Sequence, residues 1–489
     1  MSYITVALPP GVYANGTPYS GKGRFINANL WRWYSGEQRP VGGWVLHTDS
    51  AVSGKARAIV AWKSNTNTAW GGIGTHTGLY SMSKSGLVAN ITPTTFQAGR
   101  ADAAFGGGYG SLAYGTGLYG AVRPSTSNIL DATVWSLDTW GQNLVGCTDS
   151  DQKIYEWPPG SASPAARIAN APEARAIVVT ADRIMMALGA GNPRRVAWCD
   201  QENNTVWTST ATNYAGDFEL QTVGRLMCGR RITGGTLLFT DVDLWLASFL
   251  GQPYVYGFTR AGSGCGIISQ AAAVVTDTQA EWMSTNGFWS YNGFVSPLEC
   301  DVHDLVFSNI NLLQASKIHA VHVSAFGEIW WFYPSAGSDE IDRYVARNYR
   351  ENHWSVGELG RLAATDRGVF SYPLMVDGAG QIWDHERGLD HGGVQPFAET
   401  GPIEIGQGDN VFCVRQIIPD ERTLGQVEIS FIARFYPNGP ATTHGPYSLS
   451  QRTDCRLTAR QVGIRYTADD GEDFRVGTFR FEGGLGGLR

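Results

Sequence analysis

Charge is scarce in this 489-residue chain: Asp, Glu, Lys and Arg make up 17% of it, against about a quarter in an average soluble domain. Long solvated helices, which need charged outer faces, are therefore excluded as the main building material. Lysine is scarcest, with six residues, so 31 of the 37 basic side chains are arginine. Acidic residues still outnumber basic ones, and a net charge of −7 has the wrong sign for a surface that grips phosphates generally. Paired cysteines are missing as well. The seven, at positions 147, 199, 228, 265, 300, 413 and 455, are odd in number and form no C-x-x-C pair. That excludes a zinc knuckle and a legible disulfide framework, and suits folding in a reducing cytoplasm. No apolar run reaches 18 residues and residues 1–10 contain no basic start, so neither membrane insertion nor a secretory leader is expected.

Glycine and aromatic residues are abundant: there are 61 glycines, and Phe, Trp and Tyr make up 12%. Short β-branched and aromatic runs bounded by Gly, Asn, Asp, Ser or Pro recur from about 56 to 395, as at 58–62, 236–239 and 329–333. This pattern predicts an all-β chain. An aliphatic residue or Phe followed by Tyr or Trp recurs as Leu79-Tyr80, Leu118-Tyr119, Ile154-Tyr155, Leu244-Trp245, Phe288-Trp289, Ile329-Trp330 and Ile382-Trp383, with a looser copy at Val196-Ala197-Trp198. The second residues lie 36 to 53 positions apart, about what one four-stranded propeller blade consumes. A β-propeller of six to eight blades over 56–395 is the expectation. Large aromatics fill the widening wedge between such blades, and Gly and Asn make their hairpins.

Two regions fall outside the repeat. Residues 1–55 hold Gly/Pro-rich clusters around Trp31, Trp33 and Trp44, and are expected to form an extended arm that packs against a neighbouring subunit or straps its own propeller. Residues 396–489 contain period-two runs at 426–435 and 461–466, which predict a separate β-sandwich or appended sheet. Within the repeat, 105–121 is nearly all Gly, Tyr and small residues and is expected to project as a loop, with Gly106, Tyr109, Tyr114 and Tyr119 as candidate functional positions. If Leu118-Tyr119 belongs to that insertion, the blade count falls by one.

Motifs for chemistry are sparse. Residues 115–120 fit G-x-G-x-x-G, but no helix pattern follows, as a dinucleotide site requires. Walker, zinc-protease and serine-hydrolase signatures are absent from the sequence. His319 and His322, three apart on a strand, face opposite sides and cannot share a metal; Asp301, His303 and Asp304 nearby in sequence leave a metal site as the alternative to satisfied polar side chains in turns, which is the expectation. Asp241, Asp243, Glu281 and Glu328 are the acids to test for a propeller glycosidase, which needs two convergent carboxylates. The run 198–207 approaches an Asp-box turn, with its Asp-to-Trp interval two residues too long. No catalytic residue, cofactor or metal is assigned.

A set of segments in order carries a further likeness: Leu8-Pro9-Pro10-Gly11-Val12-Tyr13, Arg32-Trp33, Arg39-Pro40-Val41-Gly42-Gly43-Trp44, the Gly/Tyr stretch, Trp135 to Gly141, Cys265 to Ser269, Glu281 to Trp289, and Arg475-Val476-Gly477. Spanning almost the whole chain, they resemble the tail nozzle or hub proteins of short-tailed bacteriophages, also called packaged-DNA stabilisation proteins. The resemblance implies a structural virion protein: a propeller subunit made in the host bacterial cytoplasm and assembled in the virion tail. There it would form a six-fold homo-oligomeric ring below portal and adaptor that retains the genome, lets double-stranded DNA pass through its lumen and carries tailspikes or fibres. Six chains would carry about −42, and an acidic lumen repels duplex phosphates so that DNA slides. Arg456, Arg460, Arg465 and Arg475, with Arg480, are candidate interface charges in that ring or the solvated face of a sheet. The alternative is a carbohydrate-binding or glycosidase-type propeller directed at the host surface.

Overall fold

The computed structural model describes residues 2–108, 123–276, 279–404 and 410–485. Seven four-stranded antiparallel sheets follow one another along the chain: blade 1 (56–90), blade 2 (135–167), blade 3 (176–219), blade 4 (226–263), blade 5 (273–298), blade 6 (319–358) and blade 7 (363–385). Their inner strands, from Ala56–Lys63 through Trp135–Trp140 and onward to Ala363–Thr365, pack each on the next, and the last packs back on the first. The ring is closed, so the chain is a seven-bladed β-propeller.

Blade 7 takes its fourth strand from near the start of the chain. Trp44–Leu46 pairs with Ile382–His385, with His385 opposite Trp44 and Trp383 opposite Leu46. A ring of successive sheets has one seam, and a strand from before blade 1 stitches it with a hydrogen-bonded ladder while covering an open edge. The aromatic repeat marks the third strand in blades 1, 2, 3, 4, 5 and 7 and the second strand, Glu328–Tyr333, in blade 6. Leu118-Tyr119 lies outside the described residues and between blades in sequence, which is why eight markers yield seven blades.

Buried indoles fill the wedges. Trp282 and Trp331 are buried and donate their N–H to the carbonyls of Cys265 (2.7 Å) and Ala272 (3.0 Å), so the ring is desolvated without orphaning its polar edge. Each buries roughly 200 Å², a gross gain of about 5 kcal/mol before ordering entropy. Gly74 shows how tightly the blades fit: a Cβ there would stand 2.3 Å from Cγ of Trp135, whose indole donates to the Thr75 carbonyl across the blade 1 to blade 2 junction (2.8 Å).

The second unit is a two-sheet sandwich. One sheet runs Ser2–Val6, Phe479–Leu485, Phe412–Ile418, Thr453–Ala459; the other runs Phe25–Asn29, Phe397–Thr400, Gln461–Ala468, Val427–Arg434, Thr442–Ser448, with Ile403–Glu404 paired to Gln461–Ala468. Val427, Ile429, Phe431 and Ala433 are buried and alternate with more exposed residues, as the period of two predicts. The sandwich packs on blade 6: Val12 donates to the Trp354 carbonyl (2.7 Å), Glu358 N–H to Asn29 (2.9 Å), and one apolar core runs from Phe431 through Trp33 to Trp331.

This corrects the reading of 1–55 as one extended arm. Of its five strands two join the sandwich, one joins blade 7, and Trp31–Tyr34 with Glu37–Pro40 forms a hairpin of its own. Trp31, Trp33 and Trp44 are occupied by their own chain. Trp31 is 1% exposed and its ring centroid lies 4.4 Å from that of Phe474; Trp33 packs on Phe25 at 4.9 Å; Trp44 lies beside His385 and His391. The flanking strands are committed to intramolecular ladders, so the intervening indoles are carried into intramolecular wedges.

Candidate functional site at the mouth of the propeller

Between blades 1 and 2 the chain leaves the propeller as a two-stranded ribbon, Ala104–Gly108 against Arg123–Leu130, with Phe105 opposite Ile129 and Gly106 opposite Ser125. Phe105 and Ile129 are exposed. Gly106 thus belongs to the ribbon, while Tyr109, Tyr114 and Tyr119, and with them the G-x-G-x-x-G match, lie outside the described residues.

The ribbon's base stands on a buried polar mount. A short 3₁₀ helix between blades 5 and 6, Leu312–Lys317, is capped by Asn311, whose side chain accepts from Leu313 N–H. It presents Gln314, which exchanges two hydrogen bonds with the Ala103 backbone (2.9 and 3.1 Å), and the buried Lys317, which bonds Asp102 (2.6 Å) and the Asp339 carbonyl (2.5 Å). From blade 1, Arg57 grips Glu340 with both Nη atoms (2.9 and 2.7 Å) and donates to the Ala101 carbonyl (2.8 Å). Burial lowers the Lys317 pKa, opposed by the bond to Asp102; that same bond holds Asp102 below the usual carboxylate range. Burial would raise Glu340, but the Arg57 hydrogen bond and charge outweigh it and hold the group low. Removing one partner from this charged mount costs several kcal/mol, so the ribbon leaves from a fixed point and in a fixed direction.

Sequence reasoning missed these residues. Lys317 is one of six lysines and sits in a stretch of Leu, Ala and Ser, which is the only trace of the mount in the sequence; its carboxylate partner Asp102 lies 215 positions away.

Beside the mount opens a cavity of about 180 Å³ lined by Asp131, Asp149, Arg175, Arg225, Gln270 and Ser316 among others. Asp131 follows the ribbon directly and pairs with Arg225 (3.4 Å). Burial, with the charge of Asp131 adding to it, pushes Asp149 up to about 6, and its Oδ1 has no hydrogen-bond partner among the described residues. The folded-state pKa lies above the unfolded one, so the group destabilises the fold at pH above 6, and the cost fades as pH falls toward 4. Asp149→Asn is therefore expected to stabilise the chain by about 1–3 kcal/mol at pH 7.5, with a smaller gain at pH 5. Urea unfolding at the two pH values measures this; a gain that is equal at both, or absent, refutes the assignment.

The other candidate residues do not converge. Asp241 accepts from Arg225, Asp243 is buried between Thr222 and Thr240, Glu281 binds Arg347 and Gln279, and Glu328 binds Arg32 and Trp330. Each carboxylate is thus tied to its own partners. His319 is buried, His322 bonds the Tyr349 hydroxyl (3.0 Å), Asp301 pairs with Arg24, and His303 with Asp304. Among the described residues no three or more His, Cys, Asp or Glu side chains are grouped to hold a metal ion. In the 198–207 turn, Asp200 accepts from Tyr214 N–H (2.8 Å) and the Trp207 indole donates to Asn204 (2.7 Å), which is how a turn is held. Of the C-terminal arginines, Arg465 pairs with Glu399 (2.9 Å) over the Phe397 ring, Arg475 pairs with Asp473 (3.6 Å), the Arg460 N–H donates to the Arg434 carbonyl, and Arg456 is exposed.

No family profile and no curated protein matches the chain. Similar solved structures include the Pan2 WD40 domain of Neurospora crassa, 10% identical over 72% of this chain and 95% of that one with a TM-score of 0.40. The β-propeller domain of Cps50 (Swd1) from Myceliophteria thermophila is 8% identical over 71% and 99%, with a TM-score of 0.37. Virginiamycin B lyase of Staphylococcus aureus is 8% identical over 70% and 97%, with a TM-score of 0.41.

Proposed function

We propose that the chain is a structural subunit of a phage tail nozzle, assembling as a six-fold ring that retains packaged DNA and lets it pass at infection. The observation that carries this reading is the described ribbon, Ala104–Gly108 against Arg123–Leu130, standing on its buried polar mount and leading in sequence into a Gly/Tyr-rich segment: an anchored base under a segment of that composition suits a constriction in a channel. The ordered run of segments that resembles nozzle proteins, and carboxylates committed to structural pairs, support it over a hydrolytic role. In this reading the duplex lumen runs between subunits. The propeller's own axis holds a cavity of about 160 Å³, room for roughly five waters and not for a nucleic acid.

The deciding measurement is the copy number of the protein in purified virions, by quantitative mass spectrometry calibrated against the portal protein of the same particles. About half the portal's number is expected for a closed six-fold ring. Absence from particles, or a number matching the spikes, would overturn the proposal in favour of a host-surface carbohydrate-binding role.

A further inference from the structure

The axial cavity is lined by Arg57, Ser136, Arg230, Gln270, His319 and Ala364 among others, and its polar groups are only partly satisfied. His319, 5% exposed, lies flat against Phe332, with ring centroids 5.0 Å apart and planes at 12°. Neither of its ring nitrogens has a hydrogen-bond partner among the described residues. Burial lowers its pKa to about 4, with the nearby Lys317 carbonyl opposing, so the ring is neutral at pH 7 and keeps one nitrogen as an acceptor. Gln270 donates to the Arg175 carbonyl, and its Oε1 has no partner. Arg57 spends its Nη atoms on the mount and leaves Nε unpartnered.

Charge is unbalanced in the same place. The Arg57 guanidinium is matched by Glu340, whereas Arg230 donates to the backbone carbonyls of Gly229, Gln270 and Ala273 and has no carboxylate partner among the described residues. A half-buried guanidinium without a counter-charge, beside unused donors and acceptors, is a costly arrangement that a ligand relieves. Water satisfies the hydrogen bonds but not the charge. Chloride matches the charge but offers no hydrogen to Gln270 Oε1 or the His319 acceptor nitrogen. A tetrahedral oxyanion with one O–H matches the charge and donates to one of these two acceptors, its other oxygens accepting from Arg57 Nε–H and Arg230.

We propose that the axial cavity binds a small hydroxylated oxyanion of the hydrogen-phosphate class. The inference is independent of how the protein assembles.

Calorimetric titration of the full, phosphate-free chain with sodium phosphate, against sodium chloride at matched ionic strength, tests it. Saturable one-to-one binding of phosphate is expected, weakened about tenfold or more in Arg230→Gln and His319→Asn and unchanged in Arg194→Gln, in the turn before the third strand of blade 3 and away from the cavity lining. Arg230 makes only backbone bonds at the cavity wall, so its variant keeps the test decisive if the His319 variant fails to fold. Absence of saturable heat, equal affinity in Arg230→Gln, or a phosphate-grown crystal whose cavity holds only water would each overturn the proposal.

Discussion

Arg32→Met is expected to destabilise the chain by about 3–5 kcal/mol, the cost of leaving buried carboxylates without their cation. The Arg32 side chain is 2% exposed and makes four charge-assisted hydrogen bonds, to Glu328 (2.8 and 2.9 Å) and Glu386 (3.0 and 2.7 Å), with its guanidinium 3.7 Å from the Phe326 ring centroid. Burial alone would lower the arginine's pKa, but the two carboxylates outweigh it and hold the cation charged. The hairpin Trp31–Tyr34 with Glu37–Pro40 lies between sandwich and propeller, and this one side chain bolts it to blade 6 and to the end of blade 7. Arg32→Lys is expected to recover little, since a single ammonium cannot serve two bidentate partners. Adding Glu328→Gln and Glu386→Gln to Arg32→Met should restore a large part of the loss. Chemical denaturation of the four proteins measures this, and a loss under about 1 kcal/mol for Arg32→Met would show that the network is not the bolt described.

Removing the ribbon is expected to have the largest effect on function and a small one on stability. Phe105 and Ile129 face each other, so replacing 106–128 with a two-residue Asn-Gly turn closes the hairpin without strain. The mount below, Gln314, Lys317 and Arg57, is untouched, and the melting temperature should stay within a few degrees of the parent. Particles carrying the shortened chain are expected to assemble and then lose DNA, read as a drop in nuclease-protected genome and in infectivity. Normal retention and infectivity in correctly assembled particles would overturn the proposed constriction.

Much of the architecture is legible in the order of residues because a propeller repeats locally. Strands of a blade are near neighbours in sequence, and pairs such as Ile154-Tyr155 and Leu244-Trp245 mark the third strand in every blade but blade 6, where Ile329-Trp330 marks the second. The alternation from Val427 to Arg434 likewise names its own buried face. What could not be read depends on partners far apart in sequence. Trp44–Leu46 is three residues long, follows Gly42-Gly43, and becomes a strand only because Ile382–His385 offers an edge. Ser2–Val6 pairs with Phe479–Leu485, and Arg32 reaches Glu328 across 296 positions. No periodicity encodes such distances. The mount is invisible for the same reason: Ala103 and Gln314 meet across 211 positions, and one residue is an alanine contributing only backbone.

The pairing of Ser2–Val6 with Phe479–Leu485 sets an order of events during synthesis. The wheel can shut once residue 385 has emerged from the ribosome, because its closing strand is already waiting. The sandwich cannot, since Ser2–Val6 must wait for Phe479–Leu485, more than 470 residues later, before it has a partner. A nascent chain, or one interrupted after about residue 390, is a finished wheel trailing unpaired strand edges, the kind of species that associates with its own copies. Of the two units, the sandwich is the one whose completion requires that the chain be read through residue 485.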